Sequence, residues 1–143
     1  MTDIDTINQQ LFSAIKNIVV QAKKVAYRSN NTILLNMYWE IGKLIVQDEQ
    51  GGNAKAAYGK AVLKNLSKQL TLEFGKGFDD RNLNNIRAFY LSFPIWNAVR
   101  TELSWTHFRI ISRVENESLR LQYVEYFIDT NKIHWQLNVQ ENE

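Results

Sequence analysis

The stretch Tyr58–Phe93, YGKAVLKNLSKQLTLEFGKGFDDRNLNNIRAFYLSF, decides the fold of this chain. Its first half carries Val62, Leu63, Leu66, Leu70 and Phe74, mostly three or four residues apart. That spacing gathers them on one face of a helix. Gly75-Lys76-Gly77 follows. Glycine takes positive φ at little cost, so the chain can reverse sharply there. Asp79 or Asp80 then caps a second helix, whose inner face is expected to be Leu83, Ile86, Phe89 or Tyr90, and Phe93. Arg81, Asn82, Asn84, Asn85 and Ala88 are left for its outward face. Arginine pairs with guanine edges and asparagine with adenine edges. Two helices, a tight turn and a polar second helix make a helix-turn-helix candidate. A helical hairpin with a merely solvated polar face would have the same spacing.

The rest of the chain extends the helical pattern. Residues 5–28 repeat Ile7, Leu11, Ala14 or Ile15, Ile18, Ala22, and Val25 or Ala26 at intervals of three to four, which predicts a long amphipathic helix. At 1.5 Å per residue it spans about 36 Å, longer than one small core needs, and part of it is expected to meet a second copy. Ser29-Asn30-Asn31 interrupts it. A second helix is predicted over 32–48, burying Leu34, Met37 or Tyr38, Ile41, and Leu44 or Ile45, with Trp39 as a packing anchor. Gly42 in its middle costs about 1 kcal/mol against alanine, and a close helix crossing would explain it. Pro94 stops the central pair at Phe93. Ser104 is a good N-cap for a helix over 105–114 with Trp105, Phe108, Ile111 and Ser112 inward. The next helix, 117–131, is expected to bury Leu119 or Leu121, Val124, Phe127 and Ile128. Residues 133–139, IHWQLNV, alternate as a strand does, and are compatible with a wing, an edge strand or further helix. The fold class is therefore all-α: a compact helical domain over residues 1–143, its first 30 residues the N-terminal helix, with a central helix-turn-helix-like pair.

The net charge of +2 is unevenly spread. Residues 55–113 hold ten Lys and Arg against four Asp and Glu, while residues 114–143 hold two against six. The basic excess lies on the candidate helix-turn-helix and the segment after it, which favours a polyanionic partner. In that reading Lys60, Lys64, Lys68 and Lys76 contact the phosphates of double-stranded DNA, with Arg109 and Arg113 extending those contacts. Arg81, Asn82 and Asn85 contact bases. Lys60, Lys64 and Lys68 recur every four residues, so they share one helix flank whether or not DNA is bound.

Other function classes find little support. No apolar run approaches the ~20 residues of a membrane span. The acidic, polar start MTDIDTINQQ is not a secretory signal. The absence of cysteine fits a reducing cytoplasm, the expected location. His107 and His134 lack a partner at metal-ligand spacing, and Asp79-Asp80 reads better as a helix cap than as a metal pair. No phosphate loop or nucleophile elbow is present. No catalytic residue, metal or cofactor is expected.

Three segments carry a family resemblance: YWEIGKLIVQDEQGG, AAYGKAVLKNLSKQLTLEFGKGFDDRNLNNIRAFYLSFPIW and ELSWTHFRIISRV. They resemble the N-terminal domain of the YhcG family, strongly over residues 32–114 and more weakly to Trp135. The resemblance implies a helix-turn-helix-like DNA-binding module. In family members it is typically paired with a C-terminal nuclease domain of the PD-(D/E)xK type and often linked to restriction or mobile-element loci. No PD…(D/E)xK pattern follows here, so this chain is expected to target DNA and not to cut it. The competing expectation is an interaction module that packs against another protomer without touching DNA.

Overall fold

The computed structural model describes residues 4–25, 31–51 and 56–141, with side-chain detail over 8–23, 31–50 and 61–130. Among these residues six helices follow one another: α1 (Ile4–Val25), α2 (Asn31–Gly51), α3 (Ala56–Phe74), α4 (Asp80–Ser92), α5 (Trp105–Ile111) and α6 (Glu117–Glu141). A short 3-10 turn, Trp96–Ala98, lies between α4 and α5. No strand occurs among the described residues, and the domain is all-α.

The local signals explain where α3 and α4 begin and end. Gly75 (φ 79°) and Gly77 (φ 110°) adopt the positive φ that the reversal needs. Of the two candidate caps it is Asp79 that caps α4: its side chain accepts the backbone N–H of Asn82 at 2.8 Å. That satisfies one of the helix's orphan donors. α4 ends at Ser92, before Phe93-Pro94, and Phe93 has left helical geometry (φ −131°, ψ 69°).

α4 is the centre of the molecule. It packs chiefly against α2 and meets α3 and α5 on its other sides. Leu83, Ile86, Phe89 and Phe93 are buried, as their spacing predicts, and Leu66 and Leu70 of α3 are buried with them. Trp39 is held between two helices: its Nε1–H donates to the Phe93 carbonyl at 2.7 Å, and its ring meets Tyr90 edge-on at 5.2 Å. α1 packs on α2 and α3 through Leu11, Ile15 and Val19. Buried Asn8 donates from Nδ2 to the Val62 carbonyl at 3.1 Å and ties α1 to α3. Ile7, Val25 and Ala26, expected on the same stripe, lie outside the residues described at side-chain level.

Two expectations about burial change here, and one of the alternatives left open for residues 133–139 is selected. Leu35, not Leu34, enters the core of α2; the stripe Leu35, Tyr38, Ile41, Ile45 faces α4, and Leu34 sits one step around the helix. Neither Leu119 nor Leu121 is buried; they are 42% and 52% exposed, and α6 rests on the domain through Val124 and Ile128. The alternating segment 133–139 is helical, continuing α6 to Glu141. Alternation alone makes no strand when no neighbouring edge supplies ladder hydrogen bonds.

Candidate nucleic-acid interface

The first turns of α4 and one side of α5, through Trp105, Arg109 and Ile110, border one polar cleft of about 580 Å³. Asn82 stands at its base and closes the α3–α4 turn. Its Nδ2 donates to the Gly77 carbonyl at 2.6 Å, and its Oδ1 accepts the indole N–H of Trp105 at 3.1 Å. It also hydrogen-bonds Tyr38. Burial pushes the Tyr38 hydroxyl above the ordinary tyrosine value, and the bond to Asn82 offsets this only in part. Tyr38 is therefore a neutral phenol at physiological pH. One asparagine thus joins α2, the turn, α4 and α5.

Asn85 lies one turn further along α4. The expectation that it faces outward does not hold: it is only 6% exposed. Its Oδ1 accepts two hydrogen bonds from the Arg113 guanidinium, from Nη2 at 2.9 Å and from Nε at 3.3 Å. The reason is tertiary. α5 and the turn after it fold over this side of α4, so a polar side chain beside the apolar stripe is covered and must find a partner. Arg113 is that partner, and the contact fixes its guanidinium.

α5 is positioned by the aromatic core and by its cap. Trp105 meets Phe89 edge-on with ring centroids 5.5 Å apart, and Phe108 lies 5.1 Å from the same ring. The Ser104 backbone N–H donates to Nδ1 of His107 at 3.2 Å, so histidine stands where a glutamate usually completes a capping box. His107 is thus a capping and packing residue, its ring 5.1 Å from that of Phe127.

Three arginines border the cleft, Arg81 from α4 and Arg109 and Arg113 from α5 and its end. All three are exposed. None forms an ion pair with a described carboxylate. Elsewhere the arginines are engaged. Arg87 donates from Nε to both oxygens of Glu49 at 2.8 and 2.9 Å, and Arg100 pairs with Glu102 at 2.7 Å and Glu125 at 2.8 Å. The one carboxylate bordering the cleft, Asp79, accepts the Asn82 backbone N–H as helix cap. Three of the described guanidinium groups without a carboxylate partner therefore gather in one concavity, while a fourth, Arg120, lies elsewhere and donates to the Val114 carbonyl.

Of the residues singled out from the sequence, Arg81, Asn82, Asn85, Arg109 and Arg113 come together here. Lys64 and Lys68 are exposed on α3 but do not border the cleft. Lys76, in the turn, borders a different and more apolar groove with Lys23 and Phe74. The side chain of Lys60 lies outside the described residues. Sequence reasoning missed Tyr38 and Trp105 as cleft residues. A polar role for either depends on Asn82, 44 and 23 residues away, and no periodicity encodes that. Among the described residues no group of three or more His, Cys, Asp or Glu could hold a metal ion, and no helix is long and apolar enough to cross a membrane.

Comparison with known proteins places this arrangement in a family. Residues 14–142 match the DUF1016 N-terminal domain. Over 85 residues the chain is 45% identical to the protein named "Putative nuclease YhcG" of Escherichia coli (strain K12). That match covers 59% of this chain and 23% of the relative, so the chain spans about a quarter of the relative's length. No solved structure matches. The match over residues 14–142 includes α2 to α5 and every cleft residue, and the chain belongs to the DUF1016 N-terminal domain family, the N-terminal domain of YhcG-type proteins.

Proposed function

We propose that this domain binds double-stranded DNA through the arginine cleft and the helix-turn-helix-like pair α3–α4. In longer family proteins it would hold a separate nuclease domain on its target. The observation that carries this reading is the convergence of Arg81, Arg109 and Arg113, without carboxylate partners among the described residues, on one exposed cleft. Guanidinium forks suit phosphate and guanine edges. Lys64 and Lys68 on the α3 flank, with Lys60 and Lys76, add phosphate contacts along the duplex. Arg81, at the exposed start of α4, is the base-contacting side chain. Asn82 and Asn85 serve base recognition by positioning, because their amides are engaged with Trp105, Gly77 and Arg113. The relative's name, a nuclease, supports a DNA-directed role. The cutting chemistry belongs to another part of such proteins.

The test is a titration of labelled duplexes at two salt concentrations. Each phosphate neutralised contributes a slope of about −0.9 in log K against log salt. Lys64→Ala or Lys68→Ala is expected to weaken all duplexes alike and to remove about one contact from that slope. Arg81→Ala is expected to cost about 1–3 kcal/mol on a preferred site and little on random duplex. No affinity at low salt would end the DNA reading. Equal behaviour of Arg81→Ala and Lys64→Ala would end the reading-helix assignment.

A second reading has its own observation. Leu119, Tyr123 and Tyr126 of α6 are exposed at helical spacing on one face, a surface that suits an interaction or oligomerisation module. Sedimentation equilibrium at micromolar concentration should then give a dimer mass. A monomer at all concentrations would remove this reading, and with it the pairing expected of α1.

A further inference from the structure

We infer that Arg109 and Arg113 form a clamp for a terminal phosphate, so that the cleft takes the phosphorylated end of a DNA strand as well as duplex backbone. The inference rests on the DNA-binding reading above and narrows its ligand to a phosphomonoester at a strand end.

The argument begins with charge. A phosphodiester within a strand carries one negative charge. A terminal phosphomonoester carries about −1.5 to −2 at pH 7 and offers three acceptor oxygens. Arg109 and Arg113 lie four residues apart and border the same cleft. Neither is neutralised by a described carboxylate. Asp79, the acidic residue at this cleft, is occupied by the Asn82 N–H. Two guanidinium charges match the monoester and exceed what one diester needs.

Geometry adds to this. Arg113 is pinned by the buried Oδ1 of Asn85 through Nε and Nη2. Of the five N–H groups of a guanidinium, those two bonds leave three for a ligand. A planar donor set fixed before binding loses less entropy when it closes on a phosphate than a free side chain does. The acceptor that fixes it is neutral, so the full charge of Arg113 remains available. The site is also a recess with Asn85 and Tyr38 buried beneath exposed arginines. A strand end can enter a recess, whereas continuous duplex passes over its rim. Arg81, on the α4 side, is placed to meet the nucleotide next to that end.

The experiment is fluorescence anisotropy of the 143-residue chain with one duplex and one single strand. Each is prepared with a 5′-phosphate, a 3′-phosphate or hydroxyl ends. A phosphorylated end is expected to bind about tenfold more tightly than its hydroxyl counterpart, one charge-assisted contact's worth. Arg109→Gln and Arg113→Gln should abolish that preference. Asn85→Leu should reduce it while Arg113 keeps its charge, and thermal melts confirm that each variant is folded. Arg113→Lys should keep weak binding and lose most of the preference, because an ammonium lacks the fork. Equal affinity for phosphorylated and hydroxyl ends, with duplex binding intact, would overturn the clamp and leave the DNA reading standing. Absence of binding to every oligonucleotide would overturn both. If inorganic phosphate at equal concentration displaces the phosphorylated end completely, the cleft is a free-phosphate site and the strand-end assignment is wrong.

Discussion

Replacing Phe89 with alanine is expected to lower stability by about 3–5 kcal/mol, the usual cost of deleting a buried aromatic ring. Phe89 is fully buried at the point where α4 meets α5. Its ring lies 6.0 Å from Phe93, 5.5 Å from Trp105 and 5.1 Å from Phe108, so one deletion removes the common neighbour of three aromatics. The site is walled by helices that cannot collapse without moving one another, which puts the cost toward the upper part of that range. A domain of this size has about 5–15 kcal/mol in total, so the variant would be marginal at best. Urea denaturation followed by circular dichroism is the measurement. The midpoint should fall steeply with the slope unchanged. The consequence should reach the cleft, because Trp105 rests on Phe89 and its indole N–H holds Asn82. A loss below about 1 kcal/mol would mean that α5 is not packed as described.

The second large effect concerns Gly42, the mid-helix glycine of α2. A Cβ added there would lie 2.5 Å from the Ile86 carbonyl oxygen and 3.0 Å from Cβ of Tyr90. The first neighbour is backbone of α4, so no rotamer change relieves the contact. Gly42→Ala gains about 1 kcal/mol of helix propensity in isolation. Overpacking costs about 1–3 kcal/mol, and here the strain falls on the most extensive helix contact among the described residues. The net effect of alanine is therefore expected to be destabilising. Gly42→Val, larger and β-branched, is expected to lose the propensity gain and to exceed about 3 kcal/mol. The same urea experiment reads both. If Gly42→Ala were neutral or stabilising, α2 and α4 would not cross closely at this point, and the reason for a glycine in mid-helix would lie elsewhere.

The two predictions bear on function through a shared element. α4 holds the cleft with its first turns and the core with Leu83, Ile86 and Phe89. Core variants are therefore expected to weaken DNA binding indirectly, by releasing Asn82 and Asn85. Surface variants such as Lys64→Ala should leave the melting temperature nearly unchanged. That contrast separates a lost contact from a lost fold.

The sequence by itself determined the features that depend on neighbours within a turn or two. The stripe Leu66, Leu70 on α3 and the stripe Leu83, Ile86, Phe89 on α4 follow from helical spacing, and both are buried. Gly75 and Gly77 follow from the need for positive φ, and Phe93-Pro94 from the steric limit proline sets on its predecessor. The close crossing at Gly42 was legible too, because a mid-helix glycine has a cost that only proximity explains. The charge count located the basic region but not its shape, since it could not say that Arg87 and Arg100 would be taken up by Glu49, Glu102 and Glu125. Only the tertiary structure decided which flanking residue of each stripe is covered. Asn85 and Leu34 sit at the borders of their apolar faces, where the position of the next helix, not the period, sets burial. It also decided that Asn85 holds Arg113, 28 residues later, and that Asn82 holds Trp105, 23 residues later. Periodicity encodes direction around one helix axis; it carries no information about what a second element brings to that side, and the cleft is made of such meetings.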